Sequence, residues 1–211
     1  MNVKIVPALL TNNQHEFVEL QKKLSFAPLI QLDIMDGAFV PSCSISIEIL
    51  KQHPFLSPFE VHLMTYHPEV YFKDFKDMGA SGVVFHAEST DNISLVIEEA
   101  KALDLKVSLA INPDTAHSIL NHYIENVDSV LFMTVYPGFY GAKFEDRVLK
   151  KIQQFRTLYP QATIAIDGGV KESNIAKIRK AGINIICVGS AIVKAADAEM
   201  AYQKLQHLAN S

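Results

Sequence analysis

The sequence has little positive charge, few cysteines and no long apolar run, and each shortage excludes a class of protein. Lys and Arg number 19 against 23 Asp and Glu, and this net charge of −4 excludes a broad basic surface for nucleic acid. Two cysteines, Cys43 and Cys187, are too few for a disulfide framework, and Cys187 is predicted to be a reduced, buried thiol. No apolar stretch is long enough to cross a bilayer, so we expect no membrane partner.

Several other signals are missing. Residues Met1–Pro7 lack a basic segment followed by a long apolar run, so we expect a cytoplasmic location. No Pro/Ser-rich linker or low-complexity tract interrupts the chain, so residues 1–211 are predicted to form a single domain. No Gly-x-Gly-x-x-Gly turn follows the first apolar run, which disfavours a doubly wound open sheet.

The chain does contain a regular alternation of short apolar runs and amphipathic segments. The runs are almost continuously apolar, which is typical of parallel strands covered on both faces. Eight such units of about 26 residues each predict an α/β fold, a (β/α)₈ TIM barrel. The predicted strands are Lys4–Pro7, Leu29–Asp33, Phe59–His62, Gly82–Phe85, Lys106–Ile111, Ser129–Thr134, Thr163–Ile166 and Ile185–Val188.

The segments between these strands have helical periodicity. Gly79 and Gly182 are predicted to end helices, and Asn92 and Ser173 to cap helix starts. The predicted helices include Phe17–Leu24, Ile45–Leu50, Val70–Met78, Ile93–Ala102, Val148–Phe155 and Ile175–Ala181.

Two aspartates, Asp33 and Asp167, stand at strand ends that are far apart in sequence. The carboxyl ends of barrel strands share one mouth, where TIM-barrel enzymes have their active sites. Two carboxylates facing a small substrate can remove a proton from one face and return one to the other. Either aspartate alone would serve equally well as a cap, but the pair indicates an epimerase.

His62 and His86 end the third and fourth predicted strands. A single histidine at a strand end is more often a hydrogen-bonding residue than a ligand. His62, however, would face the same mouth as both aspartates, so it is a candidate for substrate contact and for a divalent metal site. Such a metal would bind substrate oxygens and stabilise an ene-diolate. The sequence leaves His86 unassigned.

Glycine-rich turns follow the last three strands. The turns after strands seven and eight of a barrel commonly hold phosphate, because glycine lets backbone N–H groups approach the anion. No Lys or Arg lies within those two turns, so backbone donors are expected to dominate. Ordinary strand-to-helix turns are the alternative interpretation. The candidate residues are Gly138, Phe139, Tyr140, Gly141, Gly168, Gly169, Gly189 and Ser190.

Three methionines, Met35, Met64 and Met133, lie beside strand ends. Core packing explains any one of them. Together they could form an apolar wall that keeps water away from a reactive intermediate, so Met35 and Met133 are counted as substrate-binding candidates.

These residues carry a family resemblance. From Val6 to Ala191 the chain closely resembles ribulose-phosphate 3-epimerases, which are (β/α)₈ barrels. The resemblance implies an isomerase of the pentose phosphate pathway that interconverts D-ribulose 5-phosphate and D-xylulose 5-phosphate. It implies Asp33 and Asp167 as the acid/base pair. The matching segments are LDIMDGAFVP at Leu32–Pro41, VHLM at Val61–Met64, FHAE at Phe85–Glu88, INP at Ile111–Pro113, MTVYPGF at Met133–Phe139 and IDGGV at Ile166–Val170.

The chain departs from the family at three positions. Family members usually carry serine where this chain has Ala8, a metal-binding histidine where it has Gln31, and glutamine where it has Ala142. The family's metal ligands therefore carry over only onto Asp33, His62 and Asp167. A neutral amide is a poor zinc ligand, so binding of Zn, Mn, Fe or Mg is expected to be weak or absent.

The departures leave alternatives open. They fit a weakened or metal-free epimerase, a 3-epimerase of another ketose phosphate such as a hexulose phosphate, or a non-catalytic phosphosugar-binding relative. A decarboxylase is disfavoured because Met35 stands between Asp33 and Asp36, where such a site needs a cation. We expect a homo-oligomer, which apolar residues such as Phe39, Phe55 and Tyr140 could support.

Overall fold

The computed structural model describes residues 2–138 and 143–211. Within these residues eight parallel strands close into a barrel in chain order, and the last strand pairs with the first. This confirms the predicted (β/α)₈ fold. The strands are β1 (Lys4–Leu9), β2 (Ile30–Met35), β3 (Phe59–Met64), β4 (Gly82–His86), β5 (Lys106–Ile111), β6 (Ser129–Met133), β7 (Ile164–Asp167) and β8 (Ile185–Val188).

Helices surround the barrel, and most were predicted from periodicity to within a few residues. Between β5 and β6 a 3₁₀ helix at His117–His122 stands in place of an α-helix. None of the helices in the described ranges has the length and apolar character to span a bilayer. The α-helices are α1 (Gln14–Lys23), α2 (Ile47–Leu50), α3 (Phe72–Asp77), α4 (Ile93–Ala102), α5 (Arg147–Leu158), α6 (Glu172–Lys180), α7 (Ser190–Val193) and α8 (Ala198–Asn210), with further 3₁₀ turns at Pro68–Tyr71 and Ala87–Ser89.

The helix ends largely follow the predicted signals. Gly79 and Gly182 end α3 and α6 with φ of +93° and +84°, a conformation that glycine adopts without strain. Asn92 caps α4, where its side chain accepts a hydrogen bond from Leu95 N–H at 3.2 Å.

The prediction of Ser173 as a cap was wrong. Helix α6 begins at Glu172, so Ser173 already lies inside its first turn. Asn174 instead reaches back and accepts a hydrogen bond from the Lys171 backbone N–H at 2.8 Å. An amide side chain inside the first turn therefore takes the capping role expected of the serine hydroxyl.

Successive residues of each strand face opposite sides of the sheet. On β3, Phe59, Val61 and Leu63 join the large apolar core between strands and helices, whereas His62 points inward. The barrel interior holds a second, smaller apolar cluster of Val6, Val84, Ala110, Leu131, Met133, Val135, Ala165 and Cys187. Above this cluster, toward the carboxyl ends of the strands, the interior becomes polar.

At the opposite end of the barrel, Arg156 of α5 ties together the loops that lead into β7 and β8. Its guanidinium donates to the carbonyl oxygens of Ala162 at 2.7 Å and Gly182 at 2.8 Å, and to Asn184 Oδ1 at 2.6 Å. Hydrogen bonds to a charged donor are among the stronger ones in proteins. The starts of both strands are therefore held in one position relative to each other.

Candidate active site

A cavity of about 470 Å³ lies at the carboxyl ends of the strands. The candidates Phe139, Tyr140 and Gly141, like the departure at Ala142, fall outside the described residues. His62 is fully buried beneath the cavity. The other sequence-predicted residues all line it, namely Asp33, Asp167, Met35, Met133, Gly138, Gly168, Gly169, Gly189 and Ser190, together with Met64 and Ala8.

The two aspartates are brought together by Gln31. Asp33 lies on β2, Asp167 is the last residue of β7, and their side chains are almost completely buried. The Gln31 amide nitrogen donates to Asp33 Oδ1 and to Asp167 Oδ2, each at 2.9 Å. Among the described residues none donates a hydrogen bond to Asp33 Oδ2 or Asp167 Oδ1, so one oxygen of each carboxylate stays available.

Cys187 contacts the other end of the same amide. Its thiol donates to Gln31 Oε1, with 3.0 Å between sulfur and oxygen. Burial, reinforced by the charges of Asp167, Glu60 and Asp33, raises the pKa of the Cys187 thiol, so the group keeps its proton. The prediction that Cys187 is a buried thiol outside any disulfide is confirmed.

His62 lies between the two carboxylates. Its Nδ1 is 3.2 Å from Asp33 Oδ1 and 3.3 Å from Asp167 Oδ2. Burial alone would lower the pKa of His62, but hydrogen bonds and charge attraction to Asp167 and Asp33 outweigh it and raise the pKa to about 9. Burial and the charge of Asp167 raise the pKa of Asp33 to about 6. At neutral pH, His62 is therefore a buried imidazolium.

His86 extends this cluster, although the sequence analysis left it unassigned. Its Nε2 is 2.9 Å from His62 Nε2, and its Nδ1 is 3.5 Å from Glu88 Oε2. Burial lowers the pKa of His86, and the positive charge of His62 lowers it further, against the opposing effect of Glu88. The neutral ring of His86 therefore accepts the proton that His62 Nε2 donates. In the sequence, the one signal that His86 belongs to the site was its position at a strand end, which it shares with His62.

The turn after β7 has a backbone that only glycine fits. Gly168 has φ of +112°, and a Cβ there would lie 2.4 Å from Val135 Cγ2. The Thr134 hydroxyl lies 2.9 Å from the carbonyl oxygen of Asp167 and 2.6 Å from that of Gly168. Asp167 and the glycine turn are thus positioned by the same contacts.

Two lysines that the sequence analysis did not single out also line the cavity. Lys171 follows the Gly168-Gly169 turn, and Lys194 follows α7. They lie outside the turns but add positive charge to this side of the cavity.

The chemistry of the buried donors fits a divalent metal ion. Asp33, His62 and Asp167 offer ligand atoms that all lie within 4.8 Å of one another. Carboxylate oxygens and an imidazole nitrogen suit zinc, manganese or iron. Gln31 turns its N–H groups, and not its oxygen, toward those same carboxylates, so it contributes no ligand in this orientation.

The fold is shared with several phosphosugar and related enzymes of solved structure. The KGPDC of Streptococcus mutans aligns over 100% of this chain and 98% of its own, with a TM-score of 0.72 and 9% identity. The 3-hexulose-6-phosphate synthase from Salmonella typhimurium aligns over 99% of both chains, with a TM-score of 0.71 and 16% identity. At these identities the likeness concerns the fold alone.

Sequence relatives are more specific. The model of the ribulose-phosphate 3 epimerase family matches residues 4–193. The ribulose-phosphate 3-epimerase of Aquifex aeolicus is 35% identical over 188 residues, covering 86% of this chain and 85% of its own. That of Bacillus subtilis is 31% identical and covers 97% of this chain and 98% of its own. The chain therefore belongs to the ribulose-phosphate 3-epimerase family of isomerases, which confirms the resemblance seen in its motifs.

Proposed function

We propose that the protein interconverts D-ribulose 5-phosphate and D-xylulose 5-phosphate by two-base proton transfer at C3. The observation that carries the proposal is the pair of buried carboxylates, Asp33 and Asp167, at the floor of one cavity. Family membership supports the same reaction.

In this mechanism the ionised aspartate removes the C3 proton from one face of the ketose, which leaves an ene-diolate. The protonated aspartate then delivers its proton to the opposite face of C3. Proton count is conserved, and the two residues exchange protonation states. The raised pKa of Asp33 suits this role because burial and the charge of Asp167 both favour the protonated form of this carboxyl group.

Charge and water around the intermediate are controlled by neighbouring residues. The imidazolium of His62 partly neutralises the two carboxylates from below the cavity. Met35, Met64 and Met133 give the cavity an apolar wall that limits water near C3. A divalent ion held by Asp33, His62 and Asp167 would supply Lewis-acid stabilisation of negative charge on the substrate oxygens, but we propose that such binding is weak.

The substrate phosphate is proposed to bind at the turns after β7 and β8. Backbone N–H groups of Gly169, Gly189 and Ser190 are the proposed donors, since all three residues line the cavity. Lys171 and Lys194 would add electrostatic attraction from the same side. Gly138 and the neighbouring residues 139–141 are proposed to complete the phosphate contacts.

The experiment that tests this function is solvent deuterium exchange at C3 over a panel of ketose phosphates, read by NMR. Epimerisation and exchange fastest with the two pentulose 5-phosphates are expected. Preference for a hexulose phosphate would instead assign a different substrate. Binding of these compounds without any exchange would identify a non-catalytic binder. Repeating the assay after chelation tests the need for metal.

A cytoplasmic homo-oligomer is proposed as the working form. Phe39 and Phe55 offer less apolar surface than the sequence suggested, since Phe39 packs on Tyr66 at 5.3 Å and Phe55 stacks on Phe59 at 3.7 Å between ring centroids. Tyr140 lies outside the described residues. Light scattering on the purified protein measures the oligomeric state.

A further inference from the structure

The amide of Gln31 has two chemically different ends, and each meets a matching partner. Its nitrogen faces two carboxylate oxygens at 2.9 Å, and its oxygen faces the Cys187 thiol at 3.0 Å. Turning the amide over would place its oxygen near His62 Nδ1, where the nitrogen now lies at 3.4 Å, but also against two carboxylate oxygens, and its N–H groups against sulfur, a weak acceptor. Gln31 and Cys187 are both buried, so water cannot replace a partner lost at the oxygen end of the amide.

The orientation of this amide decides what can bind the carboxylates. With nitrogen inward, Gln31 forms hydrogen bonds to one oxygen of each carboxylate, Asp33 Oδ1 and Asp167 Oδ2, and offers no ligand atom to a metal ion. With oxygen inward, Gln31 would become a fourth ligand beside Asp33, His62 and Asp167. Carboxamide oxygen is a ligand for harder divalent ions.

We propose that the Cys187 thiol acts as a positioning residue that holds Gln31 with its nitrogen inward, so that an amide bridge, and not a metal ion, aligns Asp33 with Asp167. The assignment of the two aspartates as the reacting groups rests on the proposed function. The preference of the site for hydrogen bonds over a metal ion does not rest on the proposed function. Cys187 and Gln31 thus form one functional unit, although 156 positions separate them in the chain.

The decisive variant is Cys187→Val, which removes the thiol donor while keeping an apolar side chain of similar size. Freed from the thiol, the Gln31 oxygen can turn inward. We expect the affinity for Mn²⁺, measured by calorimetry on chelator-treated protein, to rise about tenfold. In the absence of metal, kcat should fall about tenfold with little change in KM, because the carboxylates lose their alignment and the phosphate contacts remain.

Three companion proteins make the result specific. Cys187→Ser keeps a donor and should retain the Mn²⁺ affinity and kcat of the parent. Val6→Ala removes apolar volume from the residue paired with Cys187 across β1 and β8, and should lower stability without changing either quantity. Gln31→His supplies an imidazole ligand and sets the reference for tight binding. Cys187→Ala replaces the valine variant if circular dichroism shows that valine disturbs the fold.

Unchanged Mn²⁺ affinity and unchanged kcat in folded Cys187→Val would overturn the proposal, as would equal effects from Cys187→Ser or Val6→Ala. Tight metal in the parent protein would also overturn it. If the parent lacked epimerase activity but Cys187→Val still gained Mn²⁺ affinity, the proposed function would fail, whereas the proposed role of Cys187 in orienting the Gln31 amide would stand.

Discussion

The rings of His62 and His86 meet at their edges in nearly parallel planes, with centroids 5.1 Å apart, planes inclined by 14° and Nε2 atoms 2.9 Å apart. Since Nδ1 of His62 is engaged by the two aspartates, this contact satisfies the second nitrogen of a charged, buried ring. The pair extends the polar interior of the barrel from β3 to β4.

Replacing His86 should therefore weaken catalysis through His62. In His86→Leu, His62 Nε2 loses its acceptor, and we expect kcat to fall about 10–100-fold with a smaller effect on KM. His86→Gln keeps an acceptor and should retain more activity than the leucine variant. Steady-state kinetics on both, with unfolding curves to verify the fold, provide the check. Equal kcat in the leucine variant and the parent would contradict this role.

The acid/base pair makes a sharper prediction. In Asp33→Asn or Asp167→Asn one face of C3 loses its proton donor and acceptor, so epimerisation should fall by at least about 10²–10⁴-fold. The remaining carboxylate can still exchange its own proton with solvent. Each variant should then incorporate deuterium into one epimer only, and the two variants into opposite epimers, as followed by NMR. Near-normal turnover in either variant would rule out the two-base mechanism.

Glu60 predicts a dependence of stability on pH. Burial on β3 raises its pKa to about 7, although the charges of His62 and Lys106 oppose the shift. Because the folded-state pKa lies above the unfolded value of 4.5, the stability contributed below pH 4.5 is lost as the pH rises through about 7. Glu60→Gln should therefore stabilise the protein at pH 8 by on the order of 2 kcal/mol.

The measurement is urea unfolding of the parent and of Glu60→Gln at pH 5 and pH 8. Glu98→Gln, on the exposed face of α4, is the matched control and should show no such pH-dependent gain. A gain for Glu60→Gln that is equal at both pH values would mean that ionisation of Glu60 is not its source.

Phosphate binding can be tested apart from folding at Gly189. Among the described residues a Cβ there would meet only the Ala8 carbonyl oxygen, at 3.8 Å, so Gly189→Ala should introduce no clash into the fold. If the phosphate approaches the backbone at this turn, the methyl group obstructs it, and KM should rise about tenfold, the equivalent of one charge-assisted hydrogen bond. Gly168→Ala is the contrasting variant, because its strained φ and the contact with Val135 should lower thermal stability first. Unaltered KM in Gly189→Ala would place the phosphate elsewhere.

The sequence predicted the parts of this protein that depend on local order. Short apolar runs, glycine helix ends and aspartates at strand ends identified the barrel and the residues that line its mouth, because those signals repeat with the strand-helix unit. The partners of Gln31 could not be predicted in the same way. Its contacts with Asp167 and Cys187 join residues that lie 136 and 156 positions apart in the chain. Sequence patterns do not show which of such distant residues meet in the folded protein.

His86 shows the same limit at shorter range. Its position at a strand end was visible, but its role depends on the ring of His62 next to it in the sheet, 24 residues away. Ser173 shows the opposite error, since the side-chain chemistry was suitable but the helix begins at Glu172, two residues earlier than a cap at Ser173 implies.

The hydrogen bonds that Arg156 donates to the loops before β7 and β8 have a consequence for how this protein could be redesigned. Arg156 holds the loops at the amino-terminal ends of β7 and β8, whereas Asp167 and the glycine turns lie at the carboxyl ends of the same two strands. Because the amino-terminal end of each strand is held in place, the loops at its carboxyl end can be exchanged without moving the strand. Libraries that vary the mouth can therefore explore new phosphosugars, provided that Arg156 and the loops it holds are left untouched.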